Sequence, residues 1–175
     1  MQWFLWTLGL LSIGYWAELG IKARWSQARG ARELERPGTS VPSHATGDVV
    51  GRLEIPRLSL STVVFEGADE DVLERGAGHV PGSALPGDSG NTVLAAHRDT
   101  FFRPLRGIRA GDVVKVHTPR KDNVYVVQSA RVVEPDEVSV LQPTREPALT
   151  LITCYPFRYV GPAPERFVVR AVLAR

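Results

Sequence analysis

Short runs rich in Val, Leu and Ile, bounded by Gly, Pro, Asp or Asn, recur along most of this chain and limit what it can fold into. Runs of this length and composition predict β-strands. No helical segment alternates regularly with them, so the pattern predicts an all-β domain, either a barrel or a sandwich, and not a doubly wound sheet. The predicted strands are residues 49–55, 61–65, 91–96, 112–117, 123–133, 149–154 and 167–173.

Helical signals are few in this region. A short helix is predicted over residues 69–75, with Asp69 as its cap and Gly76 as its stop. A further helical turn is expected after Asp136. The glycines from Gly76 to Gly82 do not open a helix after a strand, so they predict no phosphate-binding loop.

The N-terminal residues have a different character. Residues 3–17 carry no charge, and extending the run to residue 21 adds only Glu18. A helix over residues 3–21 would be about 28 Å long, close to the roughly 30 Å hydrocarbon core of a bilayer. A cleaved signal peptide is the alternative, but no basic region precedes the run and no clear cleavage site follows it. We therefore predict a transmembrane anchor over residues 1–21.

Composition divides the rest of the chain into a connecting segment and a main domain. Residues 22–46 combine a mixed-charge stretch, suited to a juxtamembrane helix, with a linker rich in Pro and Ser. The formal charge of +2 comes from residues 1–46, so the main domain, residues 47–175, is electrically balanced. A balanced domain lacks the basic surface that nucleic acid requires, whereas a basic excess beside an apolar run suits a membrane surface.

Cys154 is the only cysteine in the sequence, which excludes an internal disulfide and a multi-cysteine metal site. It ends a predicted strand and precedes Tyr155-Pro156, so we expect the thiol at a strand rim. A free thiol is mostly protonated at neutral pH, so a nucleophilic role requires a neighbouring base or cation. A buried and unreactive cysteine is the plainer alternative.

Among the histidines, His97 has the position expected of a catalytic group. A predicted strand stops there and a polar turn, Arg98-Asp99-Thr100, begins. Surface or hydrogen-bonded structural roles are the plainer expectation for the others, which are His44 in the linker, His79 in a Gly- and Pro-rich loop and His117 at a strand end.

Arg166 opens the predicted strand over residues 167–173. A loop rich in Gly and Pro joins it to the Cys154 strand, so the two strands are predicted to be antiparallel neighbours. Arg158 is a rival, but it lies within that loop, where its position is less fixed. A thiol, an imidazole and a guanidinium at strand ends are the groups needed for acyl transfer through a thioester.

These pieces resemble the sortase family of cysteine transpeptidases. The resemblance is carried by A-A-H-R-D-T-F-F-R-P-L at 95–105, L-T-L-I-T-C-Y-P-F at 149–157 and R-F-V-V-R-A at 166–171, with support from G-R-L-E-I-P-R-L at 51–58. The T-C-Y-P-F form and the compact size are most like class D. Class C is the second choice, because residues 26–48 lack the Asp-Pro-aromatic lid that its members usually carry.

The resemblance implies a closed or nearly closed β-barrel of about eight strands with one or two short helices. It also implies that His97, Cys154 and Arg166 are the catalytic residues. The Cys154 thiolate would attack the Thr carbonyl of an LPxT-type sorting signal, with Arg166 on the oxyanion and His97 as acid and then base. A primary amine, from a cell-wall precursor or a pilin, would resolve the thioester.

No cofactor is implied, although acidic loop residues leave a calcium site open: Asp69, Glu70 and Asp71. The implied activity places residues 47–175 outside the cytoplasm on a single-pass anchor in the cell membrane. The basic residues after the span instead favour a cytoplasmic domain by the positive-inside rule. A basic extension ahead of Met1 would resolve that conflict.

Two alternatives to the sortase interpretation remain. One is a membrane-tethered β-barrel binding module in which Cys154 is inert. The other is an L,D-transpeptidase-type thiol enzyme, which would carry Ser-His-Gly-Cys, whereas Ile152-Thr153 precede Cys154 here.

Overall fold

Eight strands close into one barrel in the order β1-β2-β3-β4-β7-β8-β6-β5. The structure, a computed structural model, describes Gln27 and residues 45–174. The predicted all-β class and the implied closed barrel are therefore confirmed, while the predicted anchor over residues 1–21 lies outside the described residues. The strands are β1 (Val49–Ile55), β2 (Leu60–Glu66), β3 (Ala77–His79), β4 (Asn91–Ala95), β5 (Val113–His117), β6 (Asp122–Val133), β7 (Ala148–Tyr155) and β8 (Glu165–Leu173).

Short helices occupy the connections between strands. The predicted capped helix is present as α1 (Glu70–Leu73), where Asp69 accepts a hydrogen bond from the Val72 N–H at 3.1 Å. The turn expected after Asp136 is the 3-10 helix Val138–Leu141. Two more 3-10 helices were not predicted, Pro56–Leu58 and Arg103–Gly107. Across the part of the chain that the structure describes, no helix has the length and hydropathy of a membrane span.

β4, β7 and β8 present alternate residues to the barrel interior and to an outward face. Leu94, Leu151 and Val169 belong to the buried core. Residues next to them in each strand, such as Ala95 and Ile152, therefore point outward. β4 pairs with β7 in parallel, and β7 pairs with β8 in antiparallel fashion, as predicted for the last two. The predicted apolar face of β8 also lies in or against the core: Phe167, Val169, Ala171 and Leu173.

β3 is a strand that the sequence pattern did not predict. It lies between β2, with which it is parallel, and β4, with which it is antiparallel. Its single glycine permits this close packing, because a Cβ on Gly78 would lie 2.3 Å from the Gly67 carbonyl oxygen. The prediction that His79 belongs to a loop is therefore wrong. His79 ends β3 and is buried.

Candidate active site

The carboxyl ends of β4 and β7 lie at the same end of the barrel because the two strands are parallel. β4 leads into His97, and β7 carries Cys154 near its end. Hydrogen bonds between the two backbone segments continue up to these residues. The Ala96 N–H donates to the Ile152 carbonyl at 3.3 Å, and the Thr153 hydroxyl donates to the Ala96 carbonyl at 2.6 Å. His97 and Cys154 therefore follow two backbone segments that are bonded to each other.

Arg166 is the cross-strand partner of Cys154 in the β7–β8 pair. Directly opposed residues of antiparallel strands have Cβ atoms about 4.5–5.5 Å apart, so the thiol and the guanidinium leave the sheet side by side. Arg166 Nη1 donates to the Ala163 and Glu165 carbonyl oxygens at 3.2 and 2.9 Å. These bonds orient a group with several N–H donors, so donors remain for a substrate oxygen.

All three predicted site residues are partly exposed at this end of the barrel. Cys154 is a free thiol of intermediate exposure, as expected for a rim position, and the His97 side chain is 31% exposed. Arg158, the rival guanidinium, is exposed in the loop between β7 and β8. Burial and strand register therefore favour Arg166 over Arg158 as the partner of the thiol.

Glu70 is a neighbour of His97 that the sequence did not indicate. Its carboxylate oxygen Oε1 lies 3.4 Å from His97 Nε2, and its side chain is 75% exposed. The acidic residues considered for calcium thus have other contacts here, with Asp69 capping α1 and Glu70 facing the imidazole. No group of three or more His, Cys, Asp or Glu side chains suited to a metal occurs within the described residues.

The loop between β7 and β8 is held beside Cys154 by arginines on both sides. Arg98, which follows His97, donates from Nη2 to the Tyr159 and Gly161 carbonyl oxygens at 3.0 and 3.2 Å. Its guanidinium also lies 5.7 Å from the centre of the Tyr159 ring. Arg166 bonds the end of the same loop. The turn after His97 and the start of β8 are therefore connected through hydrogen bonds to this loop.

Three aromatic rings pack together where this loop joins the two strands. The ring centres of Phe157 and Phe167 are 5.2 Å apart in an edge-to-face arrangement, and Tyr155 stacks on Phe167 at 6.2 Å. Phe157 and Phe167 also pack against the main core. Because Tyr155 and Phe167 directly adjoin Cys154 and Arg166 in sequence, this cluster fixes the strand ends from which the thiol and guanidinium emerge.

A second histidine arrangement resembles a Ser-His-acid triad but is structural. His79 Nδ1 lies 2.8 Å from Glu66 Oε2, and Nε2 lies 2.9 Å from Ser83 Oγ. Nε2 is also 3.0 Å from the Ala84 carbonyl, which only accepts hydrogen bonds, so Nε2 carries a proton. Ser83 donates its own hydrogen to the Val80 carbonyl at 2.8 Å. His79 therefore cannot act as a base toward Ser83.

A family model described as the sortase domain matches residues 53–174. The chain belongs to the sortase family. It is 38% identical over 125 residues to sortase D of Bacillus subtilis (strain 168), an alignment that covers 71% of this chain and 63% of that protein. It is 28% identical over 131 residues to sortase A of Bacillus anthracis, covering 71% and 62%. The chain thus spans less than two thirds of the length of these relatives.

Solved sortases of several classes share this barrel. A sortase D5 transpeptidase of Clostridium perfringens superposes with a TM-score of 0.77 at 25% identity, covering 87% of this chain and 98% of that one. Sortase C1 from Streptococcus agalactiae gives a TM-score of 0.67 at 30% identity, covering 73% and 68%. With a sortase D relative in sequence and a sortase D5 in structure, this sortase is most like class D.

Proposed function

We propose that this sortase is a membrane-anchored cysteine transpeptidase that cleaves an LPxT-type sorting signal after Thr and transfers the acyl group to a primary amine. The observation that carries the proposal is the pairing of Cys154 directly opposite Arg166 in the sheet. His97 arrives at the same end of the barrel from the neighbouring parallel strand. A nucleophile, a cation and a group able to donate and accept a proton are thus brought to one rim.

The first half-reaction forms a thioester. The Cys154 thiolate attacks the Thr carbonyl carbon, a C–S bond forms, and the carbonyl oxygen becomes an oxyanion beside the Arg166 guanidinium. An arginine suits this role because it is always charged and its donors have fixed directions. When the C–N bond breaks, His97 donates a proton to the departing amine.

The second half-reaction reverses these roles. A primary amine, from a cell-wall precursor or a pilin lysine, gives a proton to His97 and attacks the thioester carbon. The new C–N bond forms, the C–S bond breaks, and the sulfur leaves as the thiolate of Cys154. Water is the slower alternative acceptor. No step requires a cofactor.

The proposed domain organisation is an anchor over residues 1–21, a juxtamembrane helix and linker over 22–46, and the catalytic barrel over 47–175 outside the cytoplasm. Gln27 supports the middle part. It is helical, and its side-chain amide accepts a hydrogen bond from the Val63 N–H at 2.7 Å and donates one to the Arg75 carbonyl at 2.6 Å. The Gln27 side chain therefore bonds directly to the barrel.

Activity is tested with peptides that contain LPxT followed by Ala or Gly. We expect the wild-type protein to cleave after Thr, to gain the mass of the acyl fragment on Cys154, and to turn over faster with an added primary amine. Cys154→Ala should show no cleavage and no mass gain. If folded wild-type protein neither forms the adduct nor reacts with iodoacetamide, Cys154 is inert and the chain is a binding module instead.

The sole cysteine also reports the side of the membrane. In intact cells that produce the full chain, a membrane-impermeant maleimide should label Cys154, with no increase in labelling after the cells are permeabilised. Cys154→Ala supplies the background. Labelling that appears only after permeabilisation would place the barrel in the cytoplasm and contradict the proposed location.

A further inference from the structure

A directional chain of hydrogen bonds crosses the outward face of β8, β7 and β4 at the end opposite the thiol. Arg170 Nη1 donates to Thr150 Oγ1 at 2.7 Å, and the Thr150 hydroxyl donates to Asn91 Oδ1 at 2.7 Å. The Asn91 amide nitrogen then donates to the carbonyl oxygens of Val140 and Gln142 at 3.0 and 3.2 Å. Every donor in this series meets an acceptor, so the orientation of the Asn91 carboxamide is determined by its neighbours.

This chain is buried, although its members point away from the barrel core. Asn91 is 2% exposed and Thr150 is not exposed at all. Val93, which shares the outward face with them, is also fully buried. The outward face is therefore covered at this end. Because Asn91 bonds the backbone of the 3-10 helix Val138–Leu141, the segment between β6 and β7 supplies cover at this point.

The covering segment, residues 134–147, needs attachment from outside itself. Most of its residues are exposed and none is buried, and the hydrogen bonds within it are local, such as Gln142 N–H to the Ser139 carbonyl at 3.2 Å. A loop of this length with a single helical turn has little packing of its own. Asn91 attaches the turn to the sheet, because its amide nitrogen donates to two carbonyl oxygens of the turn's backbone, those of Val140 and Gln142.

We call the hydrogen-bonded set Arg170, Thr150 and Asn91 the clamp. The outward face that carries the clamp also carries the thiol of Cys154. Thr150 pairs with Arg170, and Cys154 pairs with Arg166, in one continuous register of β7 and β8. Cys154 lies four residue positions after Thr150 in the strand, about 13 Å at the usual rise per residue. Four extended residues of a substrate also span about 13 Å. Between the two pairs, Ile152 and Ala95 are partly exposed, whereas Val168 opposite Ile152 is buried, so the open part of this face lies on β4 and β7.

We propose that Asn91 is a positioning residue for substrate binding. With Thr150 and Arg170 it fixes the turn Val138–Leu141 over one end of the outward face, while Cys154 lies at the other end. A sorting signal whose Thr carbonyl lies at Cys154 and which follows β7 reaches this turn with its first residue. The turn exposes apolar side chains there, with Val138 66% and Leu141 38% exposed. This inference rests on the proposed function, because it assumes an extended peptide substrate.

Asn91→Asp is the sharpest test. It keeps an oxygen toward the Thr150 hydroxyl but replaces the N–H donors by an oxygen that faces two carbonyl groups. We expect KM for an LPxT peptide to rise about tenfold or more, since two buried hydrogen bonds are lost and a carboxylate oxygen then faces two carbonyl oxygens. We expect kcat to change by less than about twofold, a magnitude within ordinary scatter for a residue far from the reacting atoms. Iodoacetamide should alkylate Cys154 at the wild-type rate.

Amide hydrogen exchange provides a readout that needs no substrate. In Asn91→Asp the amides of residues 134–147 should exchange faster, while those of β7 stay protected. Thr150→Val should shift both KM and exchange in the same direction, and Thr150→Ser, which keeps the hydroxyl, should behave like the wild type. These conservative pairs separate the hydrogen-bond chain from a general loss of stability.

Asn123→Asp is the matched control. Asn123 is also 2% exposed, and its amide nitrogen also donates to two backbone carbonyl oxygens, those of Val116 and Lys121. It lies in β6, away from residues 134–147. It should lower stability without raising KM or speeding exchange in that segment.

The outcomes separate three effects: anchoring of residues 134–147 by the clamp, positioning of the substrate, and general loss of stability. Faster exchange with unchanged KM in Asn91→Asp would overturn the positioning role, and unchanged exchange would overturn the clamp itself. A KM rise of equal size in Asn123→Asp would mean that the effect is general destabilisation, which also overturns the proposal. If the wild type turns over no LPxT peptide, the proposed function fails and the substrate part of this inference fails with it, while the exchange result still decides the clamp.

Discussion

Two histidines of this barrel lie in opposite surroundings. His79 is buried, and both ring nitrogens have partners within 3.0 Å, including the Glu66 carboxylate. His97 is partly exposed at the rim, where Glu70 lies 3.4 Å away and is itself mostly in solvent. By residue type alone, a serine, a histidine and an acid would make His79 the more convincing catalytic group.

The difference lies in what each imidazole is free to do. His79 donates from Nε2 to a carbonyl that can only accept, so its proton is committed to the fold. His97 has no such bond to the backbone from its ring among the contacts described, and a substrate could approach it. A catalytic acid and base has to exchange its proton during each turnover. Saturated hydrogen bonding therefore marks the structural histidine, and incomplete bonding at a rim marks the candidate catalytic one.

The largest expected effect comes from His97→Ala. We expect kcat/KM for an LPxT peptide to fall by about 10²–10⁴-fold, the usual contribution of a general acid and base. The urea midpoint should stay close to that of the wild type, because a partly exposed side chain at the rim contributes little to stability. Retained activity in His97→Ala would exclude His97 from the mechanism and would contradict the distinction between a catalytic His97 and a structural His79.

Glu66→Gln should show the reverse pattern. The Glu66 carboxylate forms a buried hydrogen bond with His79, so the substitution should lower the free energy of unfolding by about 1–3 kcal/mol. Urea unfolding measures this loss, and kcat/KM per folded molecule should stay near the wild-type value. Glu74→Gln, at an exposed position beside α1, is the control and should change stability by less than about 0.5 kcal/mol. A stable Glu66→Gln protein would mean that the buried pair contributes little.

Arg166→Ala sharpens the comparison at the rim. Loss of an oxyanion donor should lower kcat/KM by roughly a hundredfold or more. Arg158→Ala is the matched control, because it removes the same group from the exposed loop between β7 and β8. If Arg158→Ala proves the damaging change, the assignment of the guanidinium to Arg166 is wrong.

Much of the fold followed from strand patterns, and the exceptions have physical causes. β3 is only three residues long and contains Gly78, so no window of alternating side chains could reveal it. It is held by neighbours on both sides and by a glycine that permits close approach. The unpredicted 3-10 helices both have proline in their first turn, a signal that was present in the sequence.

The candidate site could be predicted in part because each residue stands at a strand end. The register that pairs Cys154 with Arg166 follows from two adjacent strands joined by one loop, which is a local feature. The partners of His79 and Asn91 depend on contacts between distant parts of the chain. Glu66 meets His79 only because β2 and β3 are parallel neighbours, and Asn91 meets a turn some 50 residues away. No sequence periodicity encodes such meetings.

The smallest expected effect tests the electrostatic side of the same comparison. Glu70→Gln removes the charge facing His97, at a position where water and ions screen it. Exposed pairs contribute about 0.2–1 kcal/mol, so kcat/KM should fall by less than about fivefold. The wild-type advantage should disappear near 1 M salt, where the screening length is only about 3 Å. Asp71→Asn, the next residue along α1 and also exposed, should have no comparable effect. A larger loss that salt leaves unchanged would mean that Glu70 orients His97 through a lasting bond, and the rim would then resemble the buried cluster more than its exposure indicates.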